Sequence, residues 1–276
     1  MSATTLSKAG ARRSANGPAV RLGAVSYLNA APPVHGLDRD PRFRVASEVP
    51  SRVARWLHAG EVDLGLIPSV EYAFGDYAIV PGIGIGSRGK VRSVLLFHHG
   101  PLDRVRRVAL DTSSRTSATL VRIVLRERLG RAPEYVPMAP DLVDMLAVAD
   151  AALVIGDPAL DHEGDAASLD LGEEWSRLTG LPFVYAFWAG RPGAVDRNGV
   201  ESLQSALAAG MGAFGDIASR HAGGDPARAA KYEAYLRENI VYRLGDEERE
   251  GLREFYRRAH ALSLVPRLPE LRFHAV

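Results

Sequence analysis

The 276-residue chain contains no cysteine at all. That excludes disulfides, a thiolate nucleophile, thiolate metal sites, and haem or iron–sulfur ligation through sulfur. It also has no excess charge of either sign. Lys and Arg number 34 against 33 Asp and Glu, a formal net charge of +1, and no clustered basic face marks a nucleic-acid partner. Cations such as Arg122, Arg126 and Arg128 lie along helical patterns and read as solvated faces. Nothing approaches the roughly 20 consecutive apolar residues of a membrane span. Residues 1–19 are small, polar and weakly basic, without the apolar core of a signal peptide; they read as a disordered tail on a cytoplasmic protein.

Several chemical signatures are missing too. There is no P-loop, no dinucleotide fingerprint and no histidine pair at metal spacing, so no cofactor or metal is expected. Gly82-Ile-Gly-Ile-Gly86 lacks the strand–turn–helix setting that would give such glycines a phosphate to cradle. His98 and His99 follow a strand and point to opposite sides of it, and His35 and His58 read as surface or satisfied histidines.

What is present is an alternation of strands and helices, which predicts an α/β fold with parallel sheets. Val20–Ser26 reads as a strand that delivers Asn29 at its carboxyl end. Val62–Ile67 is a second buried strand, delivering Pro68-Ser69. The segment Val108-Ala-Leu-Asp-Thr-Ser-Ser-Arg-Thr-Ser-Ala-Thr-Leu120 passes from strand through a hydroxyl-rich turn into a helix. One Ser or Thr suffices to cap a helix, whereas here three Ser and two Thr occupy six positions. Free N–H groups, hydroxyls and Arg115 at a helix start suit a carboxylate or phosphate. Ala151–Ile155 is a further buried strand, ending in Gly156-Asp157. Asp111 and Asp157 lie at strand ends, as cleft groups or as helix caps, and Arg88 and Arg115 can grip a carboxylate bidentately or serve as ordinary ion-pair partners.

The two halves echo each other. Leu57–Ser69 resembles Leu146–Asp157, and both strand ends present polar groups. Two lobes with a ligand cleft between them follow, since α/β sheets bind ligands at strand carboxyl ends. The expected boundaries are a tail over 1–19, a first lobe begun over 20–105 and a second over 106–188. A mostly helical return to the first lobe follows over 189–276. The run Thr179–Ala189 fits an interior strand at that return.

Seven segments carry a family resemblance: Val25-Ser-Tyr-Leu-Asn-Ala30, Gly60–Ser69, Ser87–Val94, Leu110–Ser117, Ile155-Gly-Asp-Pro-Ala-Leu160, Asp170-Leu-Gly-Glu-Glu-Trp175 and Thr179-Gly-Leu-Pro-Phe-Val184. In this order they resemble the chorismate dehydratase family of the futalosine route to menaquinone. The resemblance implies a two-lobed fold like that of type II periplasmic binding proteins, and dehydration of chorismate to 3-[(1-carboxyvinyl)oxy]benzoate. It further implies that the substrate's own enolpyruvyl carboxylate takes the ring proton. On this footing Asn29 is expected to hydrogen-bond the reacting region. Substrate binding is expected from Ser69, Ser87, Arg88, Thr112, Ser114, Arg115, Thr116, Ser117, Gly156 and Asp157. Two alternatives differ in class. A 1,4-dihydroxy-6-naphthoate synthase-like enzyme would show a His-Glu pair where this chain has Gly156-Asp157. A non-catalytic small-anion-binding protein would share the cleft but leave chorismate unchanged.

Overall fold

The computed structural model describes residues 19–164 and 166–275; apart from Ala19, the tail expected over 1–19 lies outside them. The chain builds β1 (Val20–Val25), β2 (Phe43–Glu48), α1 (Pro50–Ala59), β3 (Leu64–Pro68), β4 (Ala78–Ile79) and β5 (Gly82–Ser87). It then crosses to a second group: β6 (Val94–His98), β7 (Arg107–Asp111), α2 (Arg115–Leu129), β8 (Glu134–Met138), α3 (Leu142–Val148), β9 (Ala151–Ile155), α4 (Asp157–Leu160) and β10 (Ala167–Asp170). Helix α5 (Leu171–Thr179) and β11 (Phe183–Gly190) lead back, followed by α6 (Arg197–Gly212), α7 (Phe214–His221), α8 (Pro226–Glu238), β12 (Val241–Leu244) and α9 (Asp246–Ala261). Among the described residues no helix is long and apolar enough to cross a membrane.

One sheet has the order β12-β5-β11-β3-β1-β2, with β4 on β11; the other runs β10-β6-β9-β7-β8. Each is therefore the frame of one lobe. Strands β1, β2 and β3 are parallel, as are β7, β8 and β9. The sheets are mixed rather than wholly parallel, because β11 and β6 arrive from the opposite lobe and insert antiparallel. These strands also correct the expected boundaries. Val94–His98 belongs to the second sheet and Phe183–Gly190 to the first, so the chain crosses at 88–93 and 171–182. Both are buried apolar runs, and apolarity alone does not say which sheet a strand joins.

The return crossing is fixed by packed aromatics. Trp175, Phe183 and Phe255 meet edge to face with ring centroids 5.1 to 6.3 Å apart. Asp170 ties the two crossings together. Its carboxylate accepts from Gly172 N–H and Glu173 N–H as the cap of α5, and also from Val91 N–H and Arg92 N–H of the outgoing crossing. The next residues of that Asp-Leu-Gly segment have equally definite places. Leu171 is fully buried, and a Cβ on Gly172 would stand 2.6 Å from the Gly89 carbonyl. Replacing Asp170 with Ala strands four donors at once. It is expected to cost about 2–3 kcal/mol of stability, read as a lower denaturation midpoint at unchanged m value.

Helix α1 starts at Pro50, because proline suits a first helical position, and Ser51 follows it inside the first turn. The Ser51 N–H donates to the Ser113 carbonyl of the other lobe at 3.1 Å. In the helical return, Ala213 separates α6 from α7.

Candidate active site

Four parallel strands end at the gap between the sheets, two from each lobe. Strand β1 passes through Tyr27 into a short 3-10 helix, Leu28–Ala30, and β3 into another, Ser69–Phe74. Strand β7 leads to the start of α2, and β9 to Gly156 and α4. Asn29, Ser114, Thr116, Ser117 and Gly156 line one partly open cavity there, together with Ser93 and Tyr185. Its remaining walls are apolar, formed by Val25, Pro50, Pro68, Ile85, Val94 and Ile155 among others. The cavity leaves about 50 Å³ free, room for only a few waters at roughly 10–15 Å³ each.

Hydrogen-bond directions show where protons are available. Ser114 caps α2 by accepting from Ser117 N–H at 3.2 Å, and its hydroxyl donates to Ser117 Oγ at 2.9 Å. The Ser117 proton is then directed elsewhere, beside a helix end that carries partial positive charge. Thr116 Oγ1 accepts from Val70 N–H across the gap at 3.1 Å. The other wall is tyrosine-rich. Tyr242 donates to the Asn29 carbonyl at 3.0 Å, and Tyr235 donates to Ser93 Oγ at 2.7 Å. The Asn29 side chain lines the same cavity as Ser93. Burial raises the pKa of both tyrosines, so they remain neutral donors. Ser93 Oγ is thus already an acceptor, and its own proton is free to point into the cavity.

Ser87 lies behind this wall. Its hydroxyl donates to the Gly89 carbonyl and accepts from Tyr185, 3.0 Å away, so it holds the tyrosine rather than a ligand. Ser69 likewise donates to the Val184 carbonyl at 2.8 Å, with Thr116 Oγ1 3.5 Å off. The two arginines face away. Arg88 is exposed and pairs with Glu247. Arg115 pairs with the fully buried Glu71 at 2.8 Å and stacks over Phe74. Thr112 is exposed, on the outer side of the turn. Asp157 does not line the cavity; its carboxylate accepts from Leu28 N–H at 3.0 Å.

Sequence reasoning missed Ser93, Tyr185, Tyr235 and Tyr242. Tyr185 lies within the apolar run Thr179–Ala189 and Tyr235 within the mostly helical return. The signal for Ser93 is its place in the segment Ser87–Val94. No histidine, carboxylate, lysine or arginine is among the described residues lining the cavity.

Residues 20–261 match the profile of a family described as menaquinone biosynthesis. The chain belongs to the menaquinone-biosynthesis family. A chorismate dehydratase of Thermus thermophilus is 34% identical to this family member over 264 residues, covering 88% of this chain and 95% of the relative. Among solved structures, a protein from Archaeoglobus fulgidus superposes with a TM-score of 0.70 at 18% identity, covering 89% of this chain and 98% of that one. The alkanesulfonate-binding protein SsuA from Xanthomonas axonopodis pv. citri, bound to MOPS, gives 0.64 at 17% identity, over 92% and 96% of the chains. At that identity the likeness is one of fold. The family member has the two α/β lobes of a periplasmic-binding-protein-like fold.

Proposed function

We propose that this family member is a lyase that dehydrates chorismate to 3-[(1-carboxyvinyl)oxy]benzoate. The observation that carries the reading is the cavity's chemistry: hydroxyls, a carboxamide and a helix start, with no ionised side chain among the described lining residues. Elimination removes the proton from the ring carbon bearing the enolpyruvyl ether, and the hydroxyl from its neighbour. The electron pair of the C–H bond becomes ring π density, the hydroxyl leaves as water, and the ring becomes aromatic. Such a reaction chiefly needs positioning and a donor at the leaving oxygen.

Ser93, accepting from Tyr235, has its proton available for the leaving hydroxyl, and Asn29 lines the same cavity. The first turn of α2, with Ser114, Thr116 and Ser117, suits the ring carboxylate. The substrate's enolpyruvyl carboxylate is the base, as the family resemblance implies, and no histidine or carboxylate is among the described residues lining the cavity. An apolar enclosure strengthens that base by stripping its water. A ring acid with two carboxylates exceeds the free space, so the lobes part to admit it and close on it around a wider cavity than the empty one.

Incubation with chorismate, followed by ultraviolet absorbance and product mass, tests the reading. The expected product is aromatic and lighter than chorismate by one water. Recovery of intact chorismate, or only of its spontaneous rearrangement products, would overturn dehydration in favour of a binding protein.

A further inference from the structure

Asn29 is the middle residue of the 3-10 helix Leu28–Ala30, and that helix starts without help from its own lobe. Tyr27, at its N-cap position, makes no side-chain capping bond. Its ring instead lies against Gly156, and its hydroxyl is 3.2 Å from Ser113 Oγ, both across the gap. The first N–H of the helix, that of Leu28, donates to the Asp157 carboxylate at 3.0 Å. A helix end needs an acceptor for its leading N–H groups, and an ionised carboxylate is a strong one. Here the acceptor is borrowed from the second lobe, 129 residues away. The other backbone restraint on Asn29, the bond from Tyr242 to its carbonyl, comes from β12 of the first lobe.

We infer that Asp157 is a positioning residue: it caps the Asn29-bearing helix across the cleft, so that Asn29 is held in its working place only when the lobes are closed. Opening the lobes to admit a substrate breaks the Leu28–Asp157 bond, and closing remakes it. Readiness of the site is thereby tied to closure, and water entering an open cleft meets an unset Asn29. Burial raises the Asp157 pKa while the Leu28 N–H opposes that rise, as expected of a carboxylate drawn out of water for one bond.

The inference rests on the proposed dehydration for its kinetic test, and a second measurement is independent of turnover. Asp157→Ala is expected to lower kcat by about 100-fold, the cost of a small misplacement at a reacting centre. KM should stay within about twofold, since Asp157 does not line the cavity. Asp157→Asn keeps an acceptor for the Leu28 N–H and is expected to recover kcat to within about fivefold of the parent, Asn and Asp being comparable caps. In an Asn29→Ala background the Asp157→Ala change should cost nothing further, because its effect runs through Asn29. Hydrogen exchange at the Leu28 amide should quicken in Asp157→Ala and not in Asp157→Asn. Unchanged kcat in Asp157→Ala, a loss that multiplies onto that of Asn29→Ala, or unaltered Leu28 exchange would each overturn the inference. If the parent protein leaves chorismate untouched, the dehydration reading falls, while the exchange comparison still decides the cap.

Discussion

Replacing Asn29 with Ala is expected to lower kcat on chorismate by about 10²–10³-fold, the usual loss when one preorganised donor to a reacting oxygen is removed. KM should change by less than about threefold, because substrate binding depends on the α2 hydroxyls and the apolar walls. The expectation follows from how Asn29 is held. Its carbonyl accepts from Tyr242 at 3.0 Å, and the N–H before it is capped from the second lobe. A backbone held on both sides of the residue sets the carboxamide in place before the reaction begins, and alanine keeps that backbone but removes the donor it carries. The thermal midpoint should hardly move, as Asn29 is only half-buried. Steady-state kinetics at saturating chorismate check this. Normal turnover with weaker binding would make Asn29 a binding group only, and would shift the donor role wholly to Ser93.

Much of this arrangement was legible in the chain, for reasons particular residues make plain. Strands delivering Asn29, Ser69, Ser114 and Gly156 to a common gap follow from local apolar patterning, which is a short-range property. The hydroxyl excess over 112–117 pointed to more than a cap, and Ser114 caps α2 while Thr116 and Ser117 line the cavity. Which role the arginines take was not legible, because an ion pair depends on partners remote in sequence. Glu71 lies 44 residues from Arg115, and Glu247 lies 159 from Arg88. A buried carboxylate such as Glu71 needs a cation, and that need takes Arg115 away from the cleft. The tyrosines were missed for the opposite reason. Tyr185, Tyr235 and Tyr242 have large apolar rings and sit at core positions, so only the placement of their hydroxyls shows that they orient polar groups. Asp157 combined both difficulties, since capping was foreseen but the capped helix belongs to the other lobe.

Replacing Gly156 with Val is expected to lower kcat/KM by at least about 10²-fold, through misplacement at the reacting centre. Two independent causes act at this residue. Its φ of +70° with ψ of −148° lies in a region essentially reserved for glycine, and a side chain there costs about 1–3 kcal/mol. A Cβ would also stand 2.9 Å from the Tyr27 ring, whose position is already fixed by Ser113 and the neighbouring Leu28–Asp157 bond. The ring or the strand end must therefore give way. The Gly156 N–H donates to the Ser93 carbonyl at 2.8 Å, so displacing the strand end also moves the hydroxyl proposed for the leaving oxygen. The strain alone should lower the thermal midpoint by about 2–4 °C per kcal/mol. The two causes separate in a double variant. Adding Tyr27→Ala to Gly156→Val removes the collision but not the backbone strain, so the midpoint should recover only in part. Activity should stay low, because the ring wall of the cavity is then missing. Full activity in Gly156→Val alone would mean that the β9 end and the Tyr27 ring do not form the closed wall of the reacting site.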